Sequence, residues 1–461
     1  MRTKVLFLLI LSFLSSHVIA QQVSPFKEND RVVFLGNSIT DGGHYHSYIW
    51  LYYMTRFPDM RLTILNAGIG GDKAEDMFNR IDGDVFSKMP TVLITTFGMN
   101  DTGYFEYNEP GAEEFADKKV NESFGWYKKI EDRYKKLSNV KIVLMGGSPY
   151  DETVLIENNN PFRNKSKALS RIVDFQRQSA MENGWEFIDL NEPMTEINER
   201  MQKGDPSFTL CGGDRIHPDN DGHMVMAYFL LKAQGFAGKE VADINIDGSK
   251  ALLKASSNCA ITDLKKTSTG ISFDYLAEAL PYPLDTIARG WGVKKSQQKA
   301  VEVVPFMEEM NSEMLRVSGL KGSYRLLIDD EEIGVWPADE FSKGINLASL
   351  TNTPQYQQAL RLMFLNEERW EIERRFRDYN WVQYMFFREK GLLNANNREA
   401  IKVFNEHLNE NGWLRARQDV YTRAMFPEIR EVWQKEMDLL VSTIYNINKP
   451  VKRKITLIRV K

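Results

Sequence analysis

Apolar residues in the first half of the chain cluster in short runs, and longer amphipathic stretches separate these runs. The short runs predict strands, and they cover residues 31–35, 62–66, 92–97, 141–145 and 186–190. The stretches between and after them predict helices, at residues 45–56, 74–86, 112–136, 164–183 and 222–233. This alternation predicts a parallel sheet covered by helices on both faces. In such sheets, ligands bind beyond the carboxyl ends of the strands.

The pattern changes at about residue 241. Strand-like runs then follow one another, at residues 271–276, 314–317, 324–328 and 333–336. The acidic segment 329–332 predicts a tight hairpin loop between the last two runs. Residues 455–460 alternate apolar and polar positions, which predicts a final strand that returns to the same sheet. A chain of 461 residues suggests two or three domains, and we place the two main ones at 21–240 and 241–461.

The second half also contains a long helical stretch. Thr353 is a good N-cap before a proline, and Gly391 is a natural stop. Further helices are expected at 398–409 and 429–445, so a helical arm should cover about 353–446. The arm is rich in aromatic side chains and arginine. One interpretation is an aromatic platform for sugar rings or a lid over the active site. The other is a helix pair that buries its apolar stripe. Aromatic core residues at helical spacing are common, which favours the helix pair.

The first residues predict export. Basic residues precede an apolar run from Val5 to Leu14, and small residues follow it before Gln21. This pattern is typical of a secretory signal peptide, residues 1–20, cleaved after Ala20. The apolar run is too short for a comfortable membrane span, and no later segment is long enough. We therefore expect an exported protein, periplasmic or extracellular, without a membrane span.

The net charge of the chain gives no evidence for a nucleic-acid partner. The formal net charge is -4, with 43% hydrophobic and 26% charged residues, as in an ordinary globular protein. No strongly basic stretch precedes residue 449.

Cys211 and Cys259 are the two cysteines of the sequence. Export permits a disulfide between them, which would brace the loop before Asp214. Two separate buried thiols are the alternative, because sequence spacing does not tell whether the Cα atoms lie within bonding distance. Both possibilities stay open at this point.

Two segments hold a serine, a histidine and an aspartate in positions that suit acyl transfer. Ser38 follows Gly36 at the end of an apolar run and precedes two glycines, which allows a sharp turn with an exposed hydroxyl. Alone, such a serine is more often a turn residue. Asp214 and His217 are three residues apart before Pro218, so one turn can place the carboxylate against the imidazole. In the alternative, Asp214 caps the following helix and His217 is merely partly exposed.

Two further segments offer hydrogen-bond donors for an oxyanion. Gly70 and Gly71 can bring a backbone N–H close to a ligand because no side chain obstructs it. Asn100 offers an amide N–H at a strand end, and the N–H of Ser38 is a third donor. Ser38, Gly71 and Asn100 each follow a predicted strand, so we expect them on the same edge of the sheet.

Together and in this order, segments 36–40, 66–72, 98–101 and 214–218 resemble the SGNH hydrolases, the GDSL-like esterases. The resemblance covers about residues 28–238 and implies a three-layer α/β/α, flavodoxin-like parallel sheet in the catalytic domain. The first motif reads Gly-Asn-Ser-Ile where the family's eponymous motif is Gly-Asp-Ser-Leu, and this difference leaves the nucleophile and its turn intact.

The resemblance also assigns roles. Ser38 is the nucleophile, His217 is the general base and then acid, and Asp214 orients the histidine. Ser38, Gly71 and Asn100 form the oxyanion hole. The implied reaction is two-step acyl transfer, which needs no metal and no organic cofactor.

The substrate class is less constrained, because the family includes lipases, lysophospholipases, thioesterases and carbohydrate deacetylases. Export, a sizeable accessory region and the lack of an apolar segment suited to a lipid interface favour sugar esters. We therefore expect a carbohydrate esterase that removes acetyl groups from an oligosaccharide or polysaccharide. The alternative is a lipase-, lysophospholipase- or thioesterase-type hydrolase.

A metal hydrolase is a competing interpretation. His44 and His46, close to Asp41, would suit part of a zinc site. The sequence has no HExxH segment, however, and a serine triad accounts for His217 without a metal. The two histidines then begin a helix beside the nucleophile.

The sequence argues against two further classes of protein. Asp72, Asp101 and Asp214 would suit the paired carboxylates of a glycosidase, but Ser38 and Asn100 would then have no role. A non-catalytic carbohydrate-binding protein would have a damaged triad, and the sequence has all three residues.

Overall fold

The first half of the molecule is built on a parallel sheet. The computed structural model describes residues 23–288 and 294–460, so the predicted signal peptide lies outside the described residues. Five strands pair in the order β2-β1-β3-β4-β5. They are β1 (Arg31–Gly36), β2 (Thr63–Gly68), β3 (Val92–Thr95), β4 (Lys141–Gly146) and β5 (Glu186–Asp189). Each predicted strand is present, and its ends lie within two residues of the expected ones.

Helices cover both faces of this sheet, so the predicted three-layer α/β/α arrangement is confirmed. The helices are α1 (Ser38–Asp41), α2 (Tyr45–Arg56), α3 (Ala74–Arg80), α4 (Ala112–Tyr134), α5 (Lys165–Asn183), α6 (Asn191–Gln202) and α7 (Asn220–Ala233). On β1, Val32 and Phe34 pack with α2 and α7, whereas Val33 and Leu35 pack with α3, α4 and α5. Because successive side chains of a strand point to opposite faces and both faces are covered, nearly every position is apolar.

Two helical segments differ from the prediction. The helix expected at 74–86 ends at Arg80 and continues as a π-turn (Ile81–Val85) and a 3-10 turn (Phe86–Lys88). A Cβ at Gly83 in this π-turn would collide with Tyr384, so the glycine allows the helical arm to approach. Helix α6 was not predicted, because only Met194 and Ile197 supply buried apolar positions and its periodicity is weak.

Two further sheets share a hydrophobic core of their own. One has the order β13-β10-β6-β7 and the other β12-β11-β14-β9-β8. The strands are β6 (Ala242–Asp247), β7 (Leu252–Ser257), β8 (Cys259–Lys266), β9 (Gly270–Ala277), β10 (Glu313–Ser318), β11 (Ser323–Ile328), β12 (Glu331–Pro337), β13 (Ile345–Asn346) and β14 (Arg453–Val460), with short helices α8 (Phe306–Met310) and α9 (Ala338–Lys343). The sequence did not predict β6, β7 and β8, and the last two are mostly exposed and polar.

The hairpin between β11 and β12 is tighter than predicted. Glu331 and Glu332 pair with Ile328 and Leu327, so the loop contains only residues 329–330 instead of 329–332. Both loop residues have positive φ, which matches the twist of a two-residue hairpin. The predicted return of the last strand is confirmed, since β14 lies between β11 and β9.

The helical arm begins where the sequence predicts. Helix α10 (Pro354–Trp381) is capped by the Thr353 side chain and continues through a π-turn (Val382–Phe387) to Gly391. The other arm helices are α11 (Arg398–His407), α12 (Gly412–Ala416), α13 (Gln418–Ala424) and α14 (Pro427–Ile447). Most arm aromatics pack in a core of their own, as expected for packed helices. The arm also contacts α2 and β2, so it lies against the parallel-sheet half.

Cys211 is buried and Cys259 is half-buried, and both are free thiols. The disulfide that the sequence left open is therefore not formed. Across residues 23–288 and 294–460, no helix has the length and apolar character needed to cross a membrane.

Candidate active site

Ser38, His217 and Asp214 form a continuous hydrogen-bonded chain. The Ser38 hydroxyl lies 2.8 Å from Nε2 of His217, and Nδ1 of His217 lies 2.5 Å from Oδ2 of Asp214. Oδ1 of Asp214 accepts the backbone N–H groups of Ile216 and His217 at 3.0 and 2.9 Å. Partial burial opposes ionisation of Asp214, but these hydrogen bonds outweigh it and hold the pKa below its usual range. An ionised Asp214 keeps a proton on Nδ1 and leaves Nε2 able to accept the proton of Ser38.

A sharp turn after β1 presents Ser38. Asn37 is the N-cap of α1, and its side chain accepts the N–H of Ile39 at 3.0 Å. A Cβ at Gly36 would collide with the side chain of Thr40, so only glycine fits before the turn. Ser38 is the first residue of α1, so its N–H has no hydrogen-bond partner within the helix.

Arg215 holds the loop that carries Asp214 and His217, a role that the sequence did not reveal. Its backbone has φ +70°, which is unusual for a side chain larger than glycine. Its buried guanidinium donates to three backbone carbonyls of segment 151–159, at 3.1, 2.7 and 2.5 Å. The strained turn is therefore fixed by hydrogen bonds from its own side chain.

The glycine loop after β2 lies beside the nucleophile. Gly70 donates its N–H to Oδ2 of Asp41 at 2.9 Å, and a Cβ on Gly70 would lie 3.9 Å from Cβ of Ser38. Burial raises the pKa of Asp41 to about 6. Gly71 has φ +94°, and no group of the described residues accepts its N–H. The loop thus uses the N–H of Gly70 for structure and leaves that of Gly71 available.

Asn100 is oriented on both sides of its amide. Nδ2 donates to the carbonyl of Asp72 at 2.9 Å, and the hydroxyl of Tyr104 donates to Oδ1 at 2.5 Å. These two bonds fix which end of the amide is the NH2 group, and one N–H of that group remains for a ligand. Lys165 braces the same loop, because its buried ammonium donates to the carbonyls of Met99 and Gly103 at 2.7 and 2.6 Å. The sequence predicted Asn100 but neither supporting residue.

The other carboxylates near the sheet edge have structural roles. Asp72 is buried and pairs with the guanidinium of Arg80 at 2.6 Å. Asp101 accepts the N–H groups of Gly98 and Ala74 at 3.1 and 3.0 Å, so it orders the loop and caps α3. These contacts leave little capacity for the paired acid and base of a glycosidase.

The two histidines after Ser38 are buried at the start of α2. The His44 ring stacks on Trp370 with 3.9 Å between ring centroids, and His46 is fully buried. Burial lowers the pKa of His46 to about 4, so it is neutral at pH 7. Among the residues that the structure describes, no group of three or more His, Cys, Asp or Glu side chains is arranged to hold a metal.

Helix α10 of the arm holds the glycine loop through charged groups. Arg377 is buried and donates to the carbonyls of Asn66 and Gly68, each at 3.0 Å. It also pairs with the buried carboxylate of Asp84 at 2.7 Å. Glu373, one turn earlier, accepts the N–H of Asn66 at 2.8 Å. The strand that leads into the Gly71 loop is therefore bonded to the arm.

Two tryptophans of α10 extend this contact on either side. Trp370 donates its indole N–H to the carbonyl of Gly43 at 3.1 Å, and Trp381 donates to the carbonyl of Gly70 at 3.0 Å. With residues 373 and 377 they form one stripe along the helix, at spacings of three and four residues. In the sequence, the contact of α10 with the loops beside Ser38 is indicated only by this stripe, which mixes charged residues with tryptophan.

A cavity of about 320 Å³ opens from Ser38 toward the arm. The parallel-sheet half supplies one wall and the arm supplies the other. The lining residues are Ser38, Asp41, Gly42, Gly70, Trp370, Glu371, Arg374, Asp378, Trp413, Ala416 and Arg417.

Comparison with known proteins agrees with this geometry. Residues 34–225 match the GDSL-like lipase/acylhydrolase family, and residues 360–449 match the diltiazem deacetylase C-terminal helical domain. The structure of a gut microbial diltiazem-metabolizing enzyme is 60% identical, covers 96% of this chain and 100% of that chain, and has a TM-score of 0.94.

Two more distant relatives each cover less than half of this chain. An acetylxylan esterase of Geobacillus stearothermophilus is 25% identical over 224 residues, which is 45% of this chain and 94% of that protein. A crystal structure of an acetylxylan esterase from the same organism is 22% identical, covers 46% of this chain and 96% of that chain, and has a TM-score of 0.37.

Proposed function

Because this chain belongs to the GDSL-like lipase/acylhydrolase family and is an ester hydrolase, we propose that it is a serine acetylesterase acting on carbohydrates. The observation that carries the proposal is the chain of hydrogen bonds from Ser38 through His217 to Asp214, at 2.8 and 2.5 Å. In this proposal Ser38 is the nucleophile, His217 the base and then acid, and Asp214 its orienting group.

The reaction proceeds in two acyl transfers. His217 takes the proton of Ser38 as its oxygen attacks the ester carbonyl, and the tetrahedral intermediate then expels the alcohol, which receives that proton. Water next attacks the acetyl-serine, with His217 again as base, and acetate leaves as Ser38 regains its proton. Asp214 keeps the imidazole in the required tautomer and stabilises its transient positive charge.

The oxyanion of each intermediate is stabilised by three donors in this proposal. They are the N–H groups of Ser38 and Gly71 and the remaining amide N–H of Asn100. Loss of one such donor typically lowers kcat by about 10²–10³-fold. Two observations support this assignment. Asp41 accepts the N–H of Gly70, which positions the loop and leaves the N–H of Gly71 available. Asp72 and Tyr104 orient the Asn100 amide and leave one of its N–H groups available.

Two further arguments support an acetyl group on a sugar. The names of both kinds of relative describe enzymes that remove acetyl groups, one from xylan and one from diltiazem. Four charged residues of the arm line the cavity beside Ser38, which suits a hydroxyl-rich alcohol better than a hydrocarbon chain.

A second candidate function is deacetylation of diltiazem or similar acetylated drugs. The observation that favours it is the 60% identity with a diltiazem-metabolizing enzyme over 96% of this chain. The two functions share one site and one mechanism and differ only in the alcohol.

We further propose export after cleavage at Ala20, with a catalytic domain at 21–240 and an accessory domain at 241–461.

The test is release of acetate from acetylated xylo-oligosaccharides, other acetylated glycans and diltiazem by wild type and Ser38→Ala. We expect acetate from sugar esters with wild type only. A serine-to-alanine change at the turn should leave the fold intact, which circular dichroism verifies.

Two results would contradict the proposal. Near-normal turnover by Ser38→Ala would mean that Ser38 is not the nucleophile. Turnover of an aryl acetate but of none of the sugar acetates would remove the carbohydrate claim and retain the hydrolase, and acetate from diltiazem alone would favour the second function.

A further inference from the structure

We propose that the helical arm forms the subsite for the alcohol part of the ester, and that this subsite binds a hydroxylated ring such as a sugar. The inference rests on the acetylesterase function proposed above, because the cavity is left for the alcohol part only if the acyl group is as small as acetyl. In this view the arm determines which acetyl esters the enzyme selects, whereas the triad determines the chemistry.

The size of the cavity is the first argument. An acetyl group has only three non-hydrogen atoms, whereas sites for drug-sized ligands typically occupy about 300–1,000 Å³. The cavity beside Ser38 has about 320 Å³, so it exceeds what an acetyl group needs. If the acyl group is acetyl, the cavity holds the larger alcohol part.

The charges of the arm wall are the second argument. Arg417 pairs with Asp378 at 3.2 Å, and Arg374 pairs with Glu371 at 3.6 Å. The two pairs cancel, so the wall does not attract a strongly charged ligand. A hydrocarbon acyl chain against this wall would remove water from charged groups without replacing the hydrogen bonds, which costs free energy. Hydroxyl groups of a sugar can replace those hydrogen bonds.

An aromatic ring at the cavity is the third argument. The Trp413 side chain is 56% exposed and lines the cavity. The guanidinium of Arg417 lies 5.7 Å from the Trp413 ring centroid and 4.4 Å from that of Trp381. An aromatic face close to paired polar groups suits the apolar face and the hydroxyls of a sugar ring.

Hydrogen bonds also tie the arm to the loops beside the nucleophile. Trp370 and Trp381 bond to the carbonyls of Gly43 and Gly70, which are in the loops on either side of the nucleophile. These bonds place the α10 side of the cavity next to Ser38.

The experiment compares two variants on one helix. Arg374→Met removes a half-exposed cavity guanidinium, and Arg375→Met is the matched control, because Arg375 lies over Trp433 and does not line the cavity. Each is assayed with an acetylated xylo-oligosaccharide and with vinyl acetate, whose alcohol part is too small to reach the arm. Wild type is also assayed with the aryl esters of acetate, butyrate and octanoate, which differ only in the length of the acyl chain.

We expect Arg374→Met to lower the ratio of kcat/KM for the sugar ester to that for vinyl acetate by about tenfold, chiefly through KM, as for the loss of one hydrogen bond to a charged group. Arg375→Met should keep the wild-type ratio. Wild type should prefer acetate to octanoate. Trp413→Ala is a second variant, and it should lower the same ratio.

Several outcomes would overturn the inference, and they differ from failure of the proposed function. Wild type active on sugar acetates, with an unchanged ratio in both Arg374→Met and Trp413→Ala, would refute the subsite alone. A wild-type preference for octanoate would make the cavity an acyl pocket. Wild type that hydrolyses vinyl acetate but no sugar acetate would refute the proposed carbohydrate function and the sugar subsite together.

Discussion

Arg377, beside Glu373 and Trp381, is one of the side chains through which the arm holds the Gly71 loop, and Arg377→Met tests its share. The guanidinium donates to the carbonyls of Asn66 and Gly68 and pairs with Asp84, and it is 1% exposed. Methionine keeps much of the volume and removes the charge and every donor. The change therefore removes the bonds of Arg377 to β2 with little loss of packing, whereas the bonds from Glu373 and Trp381 remain.

The expected cost follows from these partners. Removal of one member of a buried ion pair typically costs about 3–5 kcal/mol. Asp84 keeps Arg80 and Lys88, each at 2.6 Å, which reduces this cost. Two buried carbonyl groups lose a donor, however, at about 1–3 kcal/mol each. We therefore expect Arg377→Met to lower the free energy of unfolding by about 3–5 kcal/mol.

Activity should also fall, because the Gly71 loop follows directly on β2. Complete loss of one oxyanion donor costs about 10²–10³-fold in kcat, so a displaced donor should cost about 10–100-fold. The assays are urea denaturation and initial rates on an aryl acetate under conditions where the variant is folded.

Arg361→Met is the matched control, since Arg361 is exposed on the same helix. It should stay within about 0.5 kcal/mol of wild type. If Arg377→Met is as stable and as active as this control, the bonds of Arg377 do not hold the loop and this prediction is refuted.

Two other predictions concern a supporting tyrosine and a buried histidine. Tyr104→Phe should lower kcat about tenfold, because it removes the hydrogen bond that orients the Asn100 amide. In an Asn100→Leu background the same change should have no further effect on kcat. An equal effect in both backgrounds would contradict this prediction. Burial lowers the pKa of His46 to about 4, so below pH 6.5 the unfolded chain binds a proton that the folded protein does not. Stability from this group is therefore complete above pH 6.5 and is lost as pH falls toward 4, by about 3 kcal/mol in all. The difference in unfolding free energy between wild type and His46→Gln should shrink over that range, and a constant difference would contradict the assignment.

Local signals were sufficient for the parallel sheet and for the residues of the candidate triad. A strand covered on both faces is apolar at nearly every position, so all five strands were visible as runs. Asp214 and His217 are three residues apart, so their contact depends on one turn, and the glycines around Ser38 indicate the turn after β1. Strands β7 and β8 and helix α6 bury few apolar side chains, so their periodicity was too weak to predict them.

The sequence by itself indicated the parallel-sheet strands and the residues of the candidate triad, because apolar runs, the turn at Ser38 and the Asp214–His217 pair are local features. Only the tertiary structure decided that the arm closes one side of the site. Arg377 bonds to Asn66, 311 positions earlier, and such a pairing has no local pattern. A buried arginine in a helix is compatible with many partners, and packing of the whole chain selects one of them. The same packing places the charged wall of the cavity opposite Ser38.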